Sequence, residues 1–378
     1  MSCCSWANRL FQRYCCHERW LEMTFRRILK GALTQLPIEL YELMVRGPSR
    51  RPLPPVDFTS RDHFPHRGAR LEWWYFTSVL VTPKRKGPVG LEVTFFRVKT
   101  LVDSVIVHVA VTDVDGQKFT CTGMVLPVHI PFTSDAHTVI ALVGNRVGFS
   151  ESNSSFVIDA RLRGLRVHCS CVIRDIMAQG AGGIQEMQNS PGDASYYFTL
   201  PNMKTEGTIV LNGESLPVTG LTWHDHQWGN FNAVKMKWDW FSLRFDADDL
   251  YVMLFNFDRW GATYGAGNIY RHGQTMRVER FEVRASDVCV ARNGVTYPID
   301  WELQIFSSPE ASTPFMTVYV RPTLKEQHVP SLITPDYWEG LCTVHGEILC
   351  PVDLGGTRFL DKKVLDGFAY VELTGYER

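Results

Sequence analysis

Residues 222–231 read TWHDHQWGNF, and three ionisable side chains stand in a row there, His224, Asp225 and His226, between Trp223 and Trp228. On an extended backbone successive side chains point to opposite faces. His224 and His226 then point one way and Asp225 the other. Two chemistries suit this stretch. In one, Asp225 donates a proton and the histidines fix its orientation. In the other, His224 and His226 offer nitrogens to a metal, with His63, His66 or His108 as third ligand. Zinc normally takes three protein ligands and keeps one position open. Nothing in the spacing calls for that third ligand, and no metal is expected. The plain alternative is a polar network bracing a join between domains.

Two further stretches carry polar groups among large aromatics. Residues 71–76 read LEWWYF and follow His63 and His66. On a strand Glu72, Trp74 and Phe76 share one face, and Trp73 and Tyr75 the other. Glu72 is then either solvent-facing or buried with a raised pKa. Residues 238–245 read WDWFSLRF. Trp238, Trp240 and Ser242 share one face, where Trp238 and Trp240 suit walling a pocket; Asp239, Phe241 and Leu243 share the other, and Phe241 and Leu243 suit a core. Patterns for other chemistries are missing. There is no G-x-S-x-G elbow, no H-E-x-x-H, no P-loop and no dinucleotide-binding glycine pattern.

The elements that must hold these residues read as β-structure from residue 71 onward. WYFTSVLVT, LEVTFFRV, SVIVHVAVTD, TVIALVG, SFVIDARL and LRVHCSCVI are short β-branched and aromatic runs, broken by turn signals at Asp115-Gly116 and Gly144-Asn145. A second series runs from GTIVLNG through WFSLRF, YVMLFNF, GNIYRHG, RFEVRA, ELQIFS, FMTVYVRP and LCTVHGEI to FAYVELTGY. No βαβ alternation and no fixed-period repeat is visible, and residues 176–192 read as a loop. This many strands predicts an all-β protein with two tandem barrels.

The N-terminal part differs. Residues 20–36 have helical apolar spacing, Pro37 interrupts them, and GPSRRPLPP (47–55) reads as a linker. Residues 1–55 hold nine Arg or Lys against four Glu, net +5, which leaves −6 on the remainder of a chain of net charge −1. That balance argues against a nucleic-acid partner. The basic helix, within residues 1–46, is a candidate surface for peripheral membrane contact, or else docks on the body. No apolar run reaches the ~18 residues of a transmembrane helix, and the N-terminus does not read as a secretory signal. The ten Cys form no C-x-x-C pair. A reduced, cytoplasmic protein is expected, needing neither disulfides nor metal.

Taken together, EWWYF, VHVAVTD, SYYFTLPNMKTEGTIVLNGESLPVTG, TWHDHQWGNF, WDWFSLRFDADDLYVMLFNF, PDYWEG and GFAYVELTGY resemble the AttH/CrtC-like family of double lipocalin-like proteins. The resemblance spans residues 62–378. The family includes carotenoid 1,2-hydratases (hydroxyneurosporene synthases) and natural-product hydratases and Diels–Alder-type cyclases. It implies two calycin-type barrels with a ligand cavity near their junction. The expected division is 1–55 for the helix and linker, 56–232 for the first lipocalin-like domain and 233–378 for the second. The family stretch reads approximately W-x-D-H-E-W-G. Asp225, His226, Trp228 and Gly229 carry over, and Gln227 stands where an acid is common. The expected protein is an enzyme without a cofactor, acting on C=C bonds of an apolar terpenoid, polyene or polyketide. Asp225 is its acid, Glu72 its orienter or water-binder, and His226 a further catalytic residue. Trp73, Trp74, Tyr75, Trp223, His224, Trp228, Trp238 and Trp240 are its substrate-binding residues. Ring closure in the same cavity and non-catalytic carriage of an apolar ligand are the alternatives.

Overall fold

The computed structural model describes residues 53–54, 56–99, 103–127, 137–187, 193–231, 236–259, 261–331, 335–354 and 357–376. The helix expected at 20–36 and most of the 47–55 linker lie outside them. Among the described residues no helix is long and apolar enough to cross a membrane.

The β-branched and aromatic runs form two antiparallel sheets, and the all-β expectation holds. The first contains β1 (Leu71–Val81), β2 (Val89–Lys99), β3 (Asp103–Asp113), β4 (Lys118–Pro127), β5 (Thr138–Leu142), β6 (Asn145–Ser150), β7 (Ser155–Leu162), β8 (Leu165–Val172), β9 (Met177–Ala178), β10 (Ile184–Glu186), β11 (Ala194–Leu211) and β12 (Glu214–Gly229). The second contains β13 (Lys237–Phe245), β14 (Leu250–Arg259), β15 (Ala262–Arg271), β16 (Gln274–Val278), β17 (Arg280–Val290), β18 (Thr296–Phe306), β19 (Met316–Pro322), β20 (His328–Val329), β21 (Tyr337–Leu354) and β22 (Thr357–Thr374). The stretch 176–192, expected as a loop, contributes the two short strands β9 and β10, which pair with β11.

The spatial orders are β4-β3-β2-β1-β12-β11-β8-β7-β6-β5 and β16-β15-β14-β13-β22-β21-β19-β18-β17. Both sheets follow one plan. A four-strand meander opens each half, and the last strand of the half returns to pair with the first. The duplication is topological and has no counterpart in a repeated sequence.

Alternation along the strands builds three cores. Trp74, Phe76, Val107, Cys169, Cys171 and Phe198 pack inside the first sheet. Phe241, Leu243, Trp301 and Val371 pack inside the second. A third core draws on both sheets, among others Tyr75, Tyr197, Trp223, Trp240, Phe255 and Tyr370. Strand β3 shows why. Val105, Val107 and Val109 belong to the first core. On its other face His108 is also buried and meets Tyr337 of the second sheet.

Two local features set the register at the join. Asn212 and Gly213 both have positive φ, 50° and 89°. Two such residues make the tight hairpin turn whose twist matches paired strands, and they fix β11 on β12. Further along, the register shifts between Leu200 and Met203, at Pro201, a residue with no N–H for the ladder. The shift changes which β11 residues face inward. Met203 lies in the first core before it, and Leu200 and Phe198 after it. Thr199 therefore stands opposite Asp225, and Tyr197 opposite Gln227.

Candidate functional site

Strand β12 serves two environments. Trp223 belongs to the layer between the sheets, whereas Trp228 belongs to the first sheet's own core. Asp225 points into the inter-sheet layer and is fully buried. Its carboxylate accepts hydrogen bonds from Tyr197 Oη (2.7 Å), Thr199 Oγ1 (2.5 Å) and Trp223 Nε1 (2.9 Å). Those donors are themselves supplied. Gln179 Nε2 donates to Thr199 Oγ1 at 2.7 Å, and Trp240 Nε1 to Tyr197 Oη at 3.3 Å. Burial pushes the Asp225 carboxyl up to about 7, against these three hydrogen bonds and the Arg244 charge, which favour the ionised form. The group is thus poised between acid and carboxylate near neutrality. Arg244 is buried beside it, donating through Nη1 to the Thr77 carbonyl at 3.0 Å. Its guanidinium lies 5.5 Å from the ring centres of Trp223 and Tyr370.

A second acidic group faces the same layer. Tyr75 Oη donates to Glu339 Oε1. Glu339 and Glu372 stand directly opposite each other on β21 and β22. Glu372 Oε1 accepts from Trp238 Nε1 (3.0 Å) and Thr374 Oγ1 (2.7 Å). Glu92 comes from β2 and accepts from Thr94 Oγ1. Burial, then repulsion from Glu372 and Glu92, drives the Glu339 carboxyl well above its ordinary range. Burial, reinforced by Glu372, pushes Glu92 up to about 8. Burial also raises Glu372. Glu92 is thus a carboxylic acid that stays protonated near pH 7. One oxygen each of Glu92 and Glu339, Oε2, has no protein hydrogen-bond partner.

The aromatic walls are close. Tyr75 and Trp240 meet edge-on at 5.3 Å, and Trp223 and Trp240 at 6.2 Å. At the rim of the layer a cleft of about 220 Å³ is lined by Ile184, Glu186, Ala194, Tyr264, Ala266 and Arg277, among others.

A family model described as AttH-like matches residues 51–376. The chain belongs to the AttH-like family. Among solved structures, this AttH-like protein is similar to one from Nitrosomonas europaea described as an AttH, at 22% identity and a TM-score of 0.72, covering 86% of this chain and 99% of the other. It is also similar to kievitone hydratase from Nectria haematococca, at 18% identity and a TM-score of 0.68, covering 86% and 94%. CghA with Sch210972 matches at 12% identity and a TM-score of 0.55, covering 88% and 96%. These likenesses establish a shared lipocalin-like fold. No curated protein matches the chain.

The AttH-like protein divides the residues singled out in its sequence into two groups. Trp73, Tyr75, Trp223, Asp225, Trp238 and Trp240 belong to the inter-sheet layer. Glu72, Trp74, His224, His226 and Trp228 lie on the other side of the first sheet. Glu72 and His226, expected to share a catalytic site with Asp225, therefore lie on the opposite face of the sheet from it. Asp225 is the cross-strand partner of Tyr75, and Glu72 is three residues from Tyr75 along β1, so its side chain leaves the opposite face. There Glu72 meets His66 Nδ1 at 2.8 Å, His226 Nε2 at 3.2 Å and Arg97 Nη1 at 3.3 Å. Burial pushes its carboxyl up, but the hydrogen bonds and charges of His226 and His66 outweigh that and hold it below its ordinary value. His224 stacks on Phe76 at 4.1 Å, and burial pulls its pKa far down.

Sequence reasoning missed Glu92, Glu339, Glu372, Tyr197 and Arg244. A signal existed for two of them. PDYWEG and GFAYVELTGY each place one acid on an otherwise apolar and aromatic strand.

Proposed function

We propose that the protein is an enzyme that adds water across a C=C bond of an apolar terpenoid, polyene or polyketide substrate, with no redox cofactor. The observation that carries this reading is Asp225. It is a fully buried carboxyl, pushed up to about 7, among Trp223, Trp240 and Tyr75 between the two sheets. Alkene hydration needs a proton donor that is still an acid near neutrality and a desolvated surround for the cation that follows. Asp225 delivers the proton, and Glu339, whose carboxyl is pushed well up by burial and its acidic neighbours, is a second acid facing the same layer. The faces of Trp223, Trp240 and Tyr75 stabilise a developing cation by ~2 kcal/mol each when desolvated. Glu72 and His226, beyond the sheet, act as anchors of the β1–β12 pair and do not touch substrate. A protein of this fold is named a hydratase, which supports the choice of reaction.

Asp225→Asn keeps size and a hydrogen-bonding tip but cannot supply the proton. The test measures product formation from terpenoid, polyene and polyketide substrates, ligand binding by tryptophan fluorescence, and melting temperature. We expect turnover to fall by at least ~10²-fold with binding and melting retained. A folded variant that keeps most of the rate points instead to ring closure by shape alone. Conversion by neither form, with binding intact, points to a carrier.

A further inference from the structure

The cluster behind the first sheet does not enter the proposed reaction, and its chemistry is of a different kind. His66 Nδ1 and His226 Nε2 converge on one oxygen, Glu72 Oε1, at 2.8 and 3.2 Å. The three atoms all lie within 4.8 Å of one another. Zinc bound by imidazole and carboxylate sits ~2.0–2.2 Å from each ligand atom, so small movements of these atoms would admit an ion between them. Two histidines and one glutamate are a set that zinc accepts, with a fourth position left open.

The surroundings orient the three groups. The other ring nitrogen of His66, Nε2, faces Asp62 Oδ1 at 3.4 Å. A carboxylate on the far nitrogen is the usual partner of a metal-bound histidine. The Glu72 carboxylate is steadied through the His66 backbone N–H at 2.9 Å and through Arg97 on its second oxygen. The His66 ring stacks on Trp228 at 3.8 Å with planes 4° apart, and His226 stacks on Trp74 at 4.8 Å. Glu72 and His226 are fully buried, whereas the His66 side chain is 24% exposed and gives the cluster its access to water. Arg97 works against a cation, but it sits on Oε2 and leaves Oε1 to the histidines.

We propose that His66 Nδ1, His226 Nε2 and Glu72 Oε1 form a binding site for a divalent transition-metal ion of the zinc type. The site is separated by the sheet from Asp225, so this inference stands without the proposed hydration. Its ligand set differs from the histidine set weighed from sequence. His226 finds His66 and Glu72, while His224 lies against Phe76 and Phe156.

The full-length protein is stripped with a chelator and titrated with zinc and with cobalt(II). The readouts are bound metal per chain, the visible spectrum of cobalt and the melting temperature. We expect one ion per chain beyond any weak binding, a cobalt spectrum of low coordination number, and a rise in melting temperature with zinc. His66→Ala, in the partly exposed segment before β1, should lose all three. Glu72→Gln should lose them too, provided it folds. His168→Ala, an exposed histidine elsewhere on the first sheet, should keep them. Absence of one-to-one binding in the wild type overturns the proposal. So does one-to-one binding that persists undiminished in His66→Ala.

Discussion

The Tyr197 hydroxyl both donates to Asp225 and accepts from Trp240 Nε1, and Tyr197→Phe removes it while leaving the ring in place. Tyr197→Phe removes one of the hydrogen bonds that favour the ionised carboxyl, so the pKa of Asp225 should rise. Activity that needs the protonated form falls as pH passes through about 7 in the wild type. In the variant that limb should move upward by about one unit, the worth of one hydrogen bond to a charged group. A pH–rate profile with an unmoved limb would remove Asp225 from the acid's role. At this scale the sequence was informative about faces within a strand. His224 and His226 do part from Asp225, and Trp240 does part from Phe241 and Leu243. It was silent about Glu72 relative to Asp225, since that relation depends on pairing between β1 and β12, which are far apart in the chain.

The β11–β12 hairpin offers two glycines that differ in what a side chain would meet. At Gly213, φ is 89° and no atom lies within 4 Å of an added Cβ. Gly213→Ala therefore carries a conformational penalty alone, roughly 1–2 kcal/mol. At Gly220 an added Cβ would lie 2.2 Å from the Val79 carbonyl oxygen on β1. That oxygen belongs to backbone and cannot swing aside, so Gly220→Ala should cost more and disturb the strand that carries Asp225. Chemical denaturation of the two variants checks the order, and equal losses would show that the ladder yields at Gly220. Most strands could be read from their β-branched and aromatic runs. Of β11 only the end, GTIVLNG, is legible, because Pro201 breaks the pattern where the register shifts. Strands β9 and β10 are too short to leave a pattern at all. The third core is invisible in sequence because residues facing another sheet look like any buried face.

The inter-sheet acids tie the stability of the whole molecule to pH. Glu92, Asp225, Glu339 and Glu372 have folded pKa values above their ordinary ones. Folding therefore takes up protons, and the stability they contribute is lost as pH rises, through about 7 for Asp225 and about 8 for Glu92. Burial lowers His63 and His108 to about 3 and about 4, so their effect runs the other way and is complete above ~pH 6.5. Between pH 6.5 and 9 the melting temperature should fall. Glu92→Gln should reduce that fall, by something on the order of 1–3 kcal/mol, and an unchanged slope would count against a protonated Glu92. Two truncations probe the other end of the molecule. A chain beginning at residue 51 should melt like the full-length protein, and any liposome association it loses belongs to residues 1–50. A chain beginning at residue 67 should melt much lower, because it loses Phe58 against Phe198 and Trp228 and the His63 carbonyl that accepts from Trp74 Nε1. The return of each last strand to its first also has a consequence for biosynthesis. Strand β1 waits for β12 before its seam can close, and β13 waits for β22, so neither half finishes until nearly all of it has left the ribosome. Such distant pairing is slow. The first half, once finished, still shows water the aromatic and acidic face that only the second half covers, and in that interval the nascent chain is most open to sticking to its neighbours.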